Sequence, residues 1–228
     1  MSYQNPRYRI MGDRALILEL GDEISPEVNR RVRELVLTLE ENPLEGLVEI
    51  VPTYRSLLII YDPLKIGLAA LQHRIEEFQK KIEGIPIPEP KTVDIPVVYG
   101  GEYGPDLEWV SQYHKISREE IIRLHSGSTY QVYMIGFTPG FPYMGELPQR
   151  LATPRRETPR TVIPAGSVAI AQRQTGIYPV ESPGGWQIIG RTPLKLFDST
   201  QSPPTLLEMG DRVRFSPIED EEFEHWPR

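Results

Sequence analysis

The first 84 residues alternate between two hydrophobic patterns, one typical of strands and one typical of helices. Four short apolar runs bounded by turn residues predict strands. These runs are Tyr8–Ile10, Ala15–Leu20, Leu47–Val51 and Ser56–Tyr61. After each pair of runs, apolar residues recur every three or four positions, which predicts an amphipathic helix. The order strand, strand, helix, strand, strand, helix is typical of a small α+β sandwich with its helices on one face of a sheet.

Both predicted helices carry boundary signals. Ser25 is expected to cap the first helix, with Pro26 in its first turn, and Asn42-Pro43 is expected to end it. The apolar stripe of this helix comprises Val28, Val32, Leu35, Val36 and Leu39. Asp62-Pro63 is predicted to open the second helix. The stripe of the second helix comprises Leu64, Leu68, Leu71, Ile75, Phe78 and Ile82.

A proline-rich run separates this part of the chain from the rest. Ile85-Pro86-Ile87-Pro88-Glu89-Pro90 has a proline at every second position, and each proline biases its predecessor away from the helical region. The run therefore predicts an extended linker and a domain boundary. We expect an N-terminal domain over 1–84, a linker over 85–91 and a second domain over 92–228.

The second domain begins with a strand and two short helices. Thr92–Tyr99 is predicted as a strand, followed by the glycine-rich stretch Gly100–Gly104. This stretch has neither the spacing nor the Lys-Ser/Thr of a phosphate-binding loop, so we interpret it as a structural turn. Asp106–His114 and Ser117–His125 are predicted as helices, the second of which starts with a capping box.

From Gln131 onward the pattern changes to short alternating runs separated by Gly and Pro clusters. Such spacing is typical of a β-barrel or a β-sandwich. The predicted strands are Gln131–Phe137, Val162–Pro164, Ser167–Ala171, Gly176–Pro179, Trp186–Arg191 and Arg212–Ser216. The acidic stretch Glu219–Glu224 is predicted to be a solvated end.

Composition narrows the classes of partner and chemistry. The 228 residues are 39% hydrophobic, enough to build one or two cores. A net charge of −7 argues against nucleic acid or an anionic membrane as a partner, because binding phosphates needs clustered cations. There is no cysteine, which excludes disulfides and thiolate chemistry, and the polar start of the chain has no secretory signal. We expect a cytoplasmic protein.

The densest chemical signal is the stretch YMIGFTPGFPYM, which begins at Tyr133. Its aromatic residues alternate with prolines and glycines, and Thr138-Pro139-Gly140-Phe141 fits a type II turn. A similar pattern recurs in Ser182–Trp186, which predicts a second stiff turn that carries an aromatic side chain. These turns suit a binding surface, and they also suit ordinary turns with core aromatics.

A locally basic segment lies within the acidic chain. Residues 150–195 have a formal balance of +5. The segment contains seven cations, Arg150, Arg155, Arg156, Arg160, Arg173, Arg191 and Lys195, against Glu157 and Glu181. Because prolines stiffen TPRRETPR, Arg155 and Arg160 are presented at low entropic cost to a carboxylate, a phosphate or an acidic partner. The alternative is that these arginines solvate a barrel rim and form structural ion pairs.

Familiar catalytic patterns are absent. The sequence has no GxSxG, HExxH or P-loop motif, and its four histidines are scattered. Ser167 and Ser182 remain open as nucleophiles, although no base lies near either of them in the sequence. We assign no catalytic residue and predict no metal site.

The ordered motifs GFTPGFPYM, LATPRRETPRTVIPAGSVAIA and QTGIYPVESPGGWQIIGRTPLKLFD closely resemble the family of 5-oxoprolinase B subunits, which includes the sporulation kinase inhibitor KipI. The chain is also similar to one half of the carboxyltransferase region of urea carboxylases, often called allophanate hydrolase subunit 1. The resemblance covers essentially the full chain. It implies an α+β fold, with a small ferredoxin-like N-terminal domain followed by a cyclophilin-like β-barrel.

The resemblance also implies a set of binding residues for substrate or partner. They are Phe137, Pro139, Gly140, Phe141, Tyr143, Arg155, Arg160, Gln174, Tyr178, Trp186 and Arg191. The family's PAGS element corresponds to Pro164–Ser167. The chain departs from the family pattern at Ala169–Arg173, which reads AIAQR where relatives more often have GIAGG. Gln172 and Arg173 are therefore expected to narrow the groove of the barrel that the GFTPGFPY segment lines in this family, or to alter its ligand.

Three functions follow from the resemblance. The first is the B subunit of an ATP-dependent 5-oxoprolinase, which opens 5-oxo-L-proline to L-glutamate together with an A subunit and a homologous C subunit. In that reading ATP serves the assembled complex, and this chain is inactive alone and does not bind ATP by itself. The second is an inhibitor that binds a sensor histidine kinase, and the third is a carboxyltransferase-like partner in urea or allophanate metabolism.

Overall fold

A computed structural model describes residues 1–81 and 89–227 of the chain. For Lys81 it describes the backbone and not the side chain. The chain divides into two units, Met1–Glu89 and Pro90–Arg228. Most of the predicted linker over 85–91, and Ile82 of the predicted second helix, lie outside the described residues. The linker therefore stays a prediction.

The first unit is a four-stranded antiparallel sheet with two helices. Its strands are β1 (Ser2–Met11), β2 (Ala15–Gly21), β3 (Leu47–Pro52) and β4 (Ser56–Tyr61), and its helices are α1 (Pro26–Glu41) and α2 (Leu68–Lys81). The spatial order of the strands is β1-β2-β4-β3. Because β4 lies between β2 and β3, which α1 connects, the unit contains the split β-α-β arrangement of ferredoxin-like sheets. The predicted order of elements and the α+β class are confirmed.

Alternation along the two central strands builds the core of this unit. Leu16, Leu18 and Leu20 of β2 are buried. In β4 the buried positions are Leu57, Ile59 and Tyr61. The helix α1 packs against three of the four strands and against α2. Ser25 caps it as predicted, accepting a hydrogen bond from the amide of Val28.

The predicted start of α2 is wrong. The helix begins at Leu68, not at Asp62-Pro63, and Leu64 is 95% exposed instead of belonging to the apolar stripe. Asp62 caps a separate turn, because its side chain accepts from the Leu64 amide at 3.0 Å and its carbonyl accepts from the Lys65 amide at 3.0 Å. The same cap chemistry serves a turn or a helix, and here the turn formed.

The second unit contains a closed seven-stranded barrel, which the family resemblance implied and which is one of the two architectures predicted for the residues after Gln131. Its strands are β5 (Thr92–Tyr99), β6 (Thr129–Ile135), β7 (Pro142–Gly145), β9 (Ser167–Ala171), β10 (Gln174–Ile177), β12 (Gln187–Arg191) and β13 (Arg212–Pro217). They close in the order β10-β7-β6-β13-β5-β12-β9. A separate two-stranded sheet pairs β8 (Arg160–Ile163) with β11 (Ser182–Gly184). The sequence analysis did not predict β7 and β11, because their prolines and glycines are typical of turns.

Short helices flank the barrel. They are α3 (Leu107–His114), α4 (Arg118–Ser126) and α5 (Asp220–Glu224). Ser117 caps α4 by accepting from the Glu120 amide at 3.2 Å, whereas the Glu120 carboxylate binds Arg123. The prediction of a fully solvated acidic end is wrong in one respect, since Phe223 of α5 packs with its ring 4.6 Å from that of Tyr103. No helix within 1–81 and 89–227 has both the length and the apolar character needed to cross a membrane.

His125 of α4 is buried against the barrel and held by two hydroxyl groups. Its Nδ1 lies 2.8 Å from the Tyr99 hydroxyl, and its Nε2 lies 2.9 Å from the hydroxyl of Thr175. Thr175 donates its own proton to the carbonyl of Ala169, so it must accept from Nε2–H, and Nδ1 must accept from Tyr99. The network thus requires a neutral imidazole, and burial lowers the pKa of His125 to about 3.

We predict that the second unit loses stability as pH falls because of this histidine. An unfolded imidazole titrates near its ordinary value of 6.5, so the unfolded chain binds the additional proton between that pH and about 3. The contribution of His125 to the free energy of unfolding is fully present above pH 6.5. It decreases below that pH, by about 3 kcal/mol at pH 4. Urea unfolding at pH 7 and pH 4, followed by tryptophan fluorescence, measures the effect.

His125→Gln serves as the comparison, because an amide does not titrate in this range. All three tryptophans, Trp109, Trp186 and Trp226, belong to the second unit, so the signal reports its unfolding. The variant should lose about 3 kcal/mol less than the wild type between the two pH values. Equal losses in both proteins would show that His125 is not the titrating group.

Candidate functional site

The hairpin turn Gly136–Phe141, which follows β6, has the predicted type II geometry at its tip. Gly140 has a φ of 82°, and the Phe141 amide donates to the Thr138 carbonyl at 3.1 Å. A second, tighter turn precedes it, in which the Thr138 amide donates to the Gly136 carbonyl at 2.8 Å. Phe137 lies between these two residues with a φ of 65°, which is unfavourable for a bulky residue, and its side chain is 60% exposed.

The other predicted aromatic residues pack against one another. Phe141, Tyr178 and Trp186 are buried, and Tyr143 is half-buried beside them. The Phe141 ring lies 5.0 Å from Tyr178 and 5.6 Å from Trp186, both edge-to-face. Phe141, Tyr178 and Trp186 therefore belong to a core. Of the predicted aromatic site residues, only Phe137 exposes most of its side chain to solvent.

Strand alternation explains where this aromatic cluster sits. Val168 and Ile170 of β9 belong to the main barrel core, whereas Ala169 and Ala171 contact the aromatic cluster. Successive side chains on a barrel strand point to opposite sides of the wall. The aromatic cluster is thus a second core on the outer side of the barrel wall, and Ile163 of β8 belongs to it.

The predicted second turn at Ser182–Trp186 is wrong. Ser182–Gly184 forms the strand β11, in which Ser182 pairs with Ile163 and Gly184 with Arg160. Gly184 is needed for packing instead of turning, since a Cβ there would lie 2.2 Å from the Tyr178 hydroxyl oxygen. The proline and glycine of this segment permit close packing beside the aromatic cluster.

Asp106 organises the arginines of the TPRRETPR segment. Its buried carboxylate accepts two hydrogen bonds from Arg160, at 2.7 and 2.8 Å, and one from Arg156 at 3.0 Å. The Ile188 amide donates a further bond at 2.7 Å. Four charge-assisted contacts on one buried carboxylate hold the segment against β12 and the start of α3. Asp106 was not predicted from the sequence, because it lies 54 positions before Arg160.

An open cavity of about 750 Å³ lies beside Asp106, and we call it the Arg155 cleft. Its lining comprises Asp106, Trp109, Tyr113, Pro154–Thr158 and Gln187. Arg155 makes no hydrogen bond or ion pair with any residue of the described parts of the chain. Trp109 and Tyr113, one turn apart on α3, stack with their ring centres 5.2 Å apart and their planes 18° apart.

The sequence carries one signal for this side of the Arg155 cleft, namely two aromatic residues on the solvent-facing side of the amphipathic helix α3. Leu107 and Val110 are the buried residues of α3, so Trp109 and Tyr113 occupy its outer face, 43% and 51% exposed. Two large aromatic side chains on that face are costly in water unless a ligand or partner covers them. Neither was among the predicted site residues.

The remaining predicted residues lie elsewhere. Arg191 lines a separate cavity of about 390 Å³ with Phe223 and Trp226, and its Nε donates to the Ala165 carbonyl. Because Gln187 and Arg191 are four residues apart on β12, the two cavities are separated by roughly 13 Å of strand. Gln174 has a buried Nε2 without a hydrogen-bond partner among the described residues. The structure therefore does not bring Arg191 together with Arg155 and Arg160.

The comparisons with known proteins agree on the family of this chain. Residues 6–207 match the family model described as carboxyltransferase domain, subdomain C and D. The chain is 42% identical over 229 residues to the B subunit of 5-oxoprolinase from Bacillus subtilis, covering 95% of each chain. It is 41% identical to the 5-oxoprolinase B subunit of Escherichia coli O157:H7, covering 94% of this chain and 97% of that one. The resemblance stated from the sequence motifs is confirmed.

A solved structure extends the likeness to the fold. The crystal structure of TTHA0988 is 39% identical with a TM-score of 0.79 and covers 90% of this chain. This chain spans only 40% of TTHA0988, so the same module occurs there within a longer polypeptide.

We predict that Asp106→Asn destabilises the second unit by about 3 kcal/mol or more. The amide cannot neutralise Arg156 and Arg160, which stay partly buried without their shared counter-charge. Urea unfolding followed by tryptophan fluorescence measures the loss. The matched control is Asp94→Asn, which removes an exposed ion pair with Arg214 and should cost far less. Similar losses in the two variants would contradict the role assigned to Asp106.

Proposed function

This chain belongs to the family of carboxyltransferase subdomains C and D, and on that premise we propose that it is the B subunit of an ATP-dependent 5-oxoprolinase. The observation that carries the proposal is the 42% identity to a 5-oxoprolinase B subunit across 95% of both chains. The A and C subunits complete the enzyme in this proposal. Similarity over nearly the full length supports a shared role better than a shared fold does, because folds host many functions.

The proposed reaction opens a stable cyclic amide. The lactam carbonyl oxygen takes the terminal phosphoryl group of ATP, and ADP leaves. Water then adds to the activated carbon, the carbon–nitrogen bond breaks, and a second water releases phosphate from the resulting acyl phosphate to give glutamate. Substrate and intermediates carry carboxylate and phosphate groups, so the chemistry needs fixed cations.

The structure gives different surroundings to three cations of the predicted binding set. Arg160 is held by Asp106 with both nitrogens, and Arg191 lines the other cavity. Arg155 lines the Arg155 cleft together with Arg156, Asp106 and Glu157, whose formal charges cancel. Arg160, which binds Asp106, brings the net formal charge of the group to +1. A net formal charge of +1 fits one carboxylate better than the several charges of ATP. We therefore assign the nucleotide to the assembled complex.

We predict that Arg155→Ala lowers kcat/KM for ATP-dependent glutamate release by about 10- to 100-fold, the loss expected for one charge-assisted hydrogen bond. The assay uses the complex obtained by co-expressing this chain with its A and C subunits. Arg214→Ala is the matched control, since Arg214 pairs with Asp94 on the surface of the barrel and is not part of the cleft. An unchanged Arg155→Ala complex would remove this residue from the site.

Exposure of Phe137 favours a role in partner binding, whether the partner is the C subunit or the sensor histidine kinase of the second reading. Of the predicted binding residues in the hairpin turn and β7, Phe141 is buried and Tyr143 is half-buried, whereas Phe137 is exposed. A bulky residue held at positive φ stores strain that a glycine would not carry. Such strain is common where a side chain must be presented for a function.

We predict opposite effects of Phe137→Gly on stability and on binding. The variant should be as stable as the wild type or slightly more stable, because glycine adopts a φ of 65° without strain. Binding to the true partner, measured by calorimetry with the purified C subunit and with a purified sensor histidine kinase, should weaken tenfold or more. Val162→Ala, which truncates another exposed apolar residue of this unit, should leave binding unchanged.

The calorimetry also separates the two readings. Binding to the C subunit alone supports the 5-oxoprolinase reading, and binding to the kinase alone supports the inhibitor. If Phe137→Gly binds its partner as well as the wild type does, Phe137 is not the anchor. The third reading, a partner in urea or allophanate metabolism, stays a prediction.

A further inference from the structure

We propose that the Arg155 cleft is by itself a binding site for a small cyclic amide that carries one carboxylate, with its ring on Trp109 and Tyr113 and its carboxylate on Arg155. The choice of this ligand rests on the proposed function. The structure alone identifies the residues that line the site, and its two aromatic residues, Trp109 and Tyr113, were not expected from the sequence.

The backbone around Arg155 is fixed, although its side chain makes no hydrogen bond or ion pair with the described residues. Its positive charge acts on the Tyr143 and Tyr178 hydroxyls, where it opposes the rise in pKa caused by burial. On one side, Gln187 donates its Nε2 to the Pro154 carbonyl at 3.1 Å. On the other side, the Arg156 amide donates to the Gly185 carbonyl at 2.8 Å, and the Arg156 guanidinium binds Asp106. Because hydrogen bonds hold the backbone on both sides of Arg155, less entropy is lost when the Arg155 guanidinium binds an anion.

The aromatic wall supplies the apolar surface that such a ligand needs. Trp109 and Tyr113 stack nearly in parallel with their faces turned to each other, and both line the cavity with Arg155. A compact ring can pack against the aromatic surface that they expose there and shield it from water. Thr158 also lines the cleft, and its hydroxyl is able to donate to an amide carbonyl.

Charge selects the class of anion. Asp106 already neutralises part of the charge of Arg156 and Arg160, and Glu157 lines the same cavity. Arg155 and Arg156 balance Asp106 and Glu157 in the lining, and Arg160, which binds Asp106, adds one positive charge. This net formal charge of +1 matches a single carboxylate. A nucleotide could also stack on Trp109, but each additional phosphate charge would face Asp106 and Glu157 without a matching cation.

The test is a titration of the isolated chain with 5-oxoproline, read by ligand-observed NMR and by tryptophan fluorescence. Three comparison probes define the site: 2-pyrrolidinone, which lacks the carboxylate, proline, which lacks the ring carbonyl, and AMP, which has a planar base and a phosphate. We expect saturable binding of 5-oxoproline, at least tenfold tighter than binding of any comparison probe. Equal or tighter binding of 2-pyrrolidinone, proline or AMP, or no binding of 5-oxoproline, overturns the proposal.

Three variants locate the site. Arg155→Ala and Trp109→Ala should each weaken binding of 5-oxoproline tenfold or more, and Arg155→Lys should recover part of the loss, because it restores the charge without the planar fork. Arg214→Ala should bind as the wild type does. Unfolding curves establish that each variant is folded. Full binding by Arg155→Ala or by Trp109→Ala would place the ligand outside this cleft.

Failure of this inference is distinguishable from failure of the proposed function. If the isolated chain does not bind 5-oxoproline but the co-expressed complex still releases glutamate in an ATP-dependent reaction, the cleft assignment is wrong and the enzyme assignment stands. If the chain binds 5-oxoproline and no complex releases glutamate, the site stands and the proposed reaction is wrong.

Discussion

The second unit depends on one buried carboxylate. Asp106 binds two arginines from the 154–160 segment and the backbone of β12, and it lies at the start of α3. A carboxylate that is buried without such partners would lose far more free energy by desolvation than it gains from packing. The loop, the strand and the helix are therefore constrained to meet at this point, and the Arg155 cleft is the space that their meeting leaves.

This constraint also divides the basic segment by role. Arg156 and Arg160 hold the structure together, and in our proposal the neighbouring Arg155, on a backbone fixed by the same contacts, binds a ligand. A stretch of like charges would then serve both architecture and recognition. The ion pairs with Asp106 also reduce the local positive charge, which restricts the anions that the cleft can accept.

The aromatic residues show a comparable division. Phe141, Tyr178 and Trp186 form a core on the outer side of the barrel wall, and this core supports the turn from which Phe137 projects. The exposed and strained Phe137 is tolerated because its neighbours are tightly packed. The hairpin turn and the Arg155 cleft are then two separate surfaces of one unit, which suits a protein that binds both a ligand and another polypeptide.

Local pattern determined much of the architecture. The helix period of residues 28–39, the cap at Ser25, the strand Thr92–Tyr99 and the turn at Pro139-Gly140 were predictable from sequence, because each depends on neighbours a few positions away. The family was recognisable as well, since its motifs are contiguous. The start of α2 was not, because Asp62 caps equally well a turn or a helix.

The tertiary structure alone decided the candidate site. Neither the pairing of Asp106 with Arg160 nor the pairing of β7 with β10 has a signature in the local sequence. Which aromatic rings are buried, and which arginine is left without a partner in the described parts of the chain, depends on how strands 30 or more positions apart close into a barrel. Side chains acquire their roles from those long-range neighbours, so composition and spacing could indicate the chemistry of the segment but not the assignment of each residue.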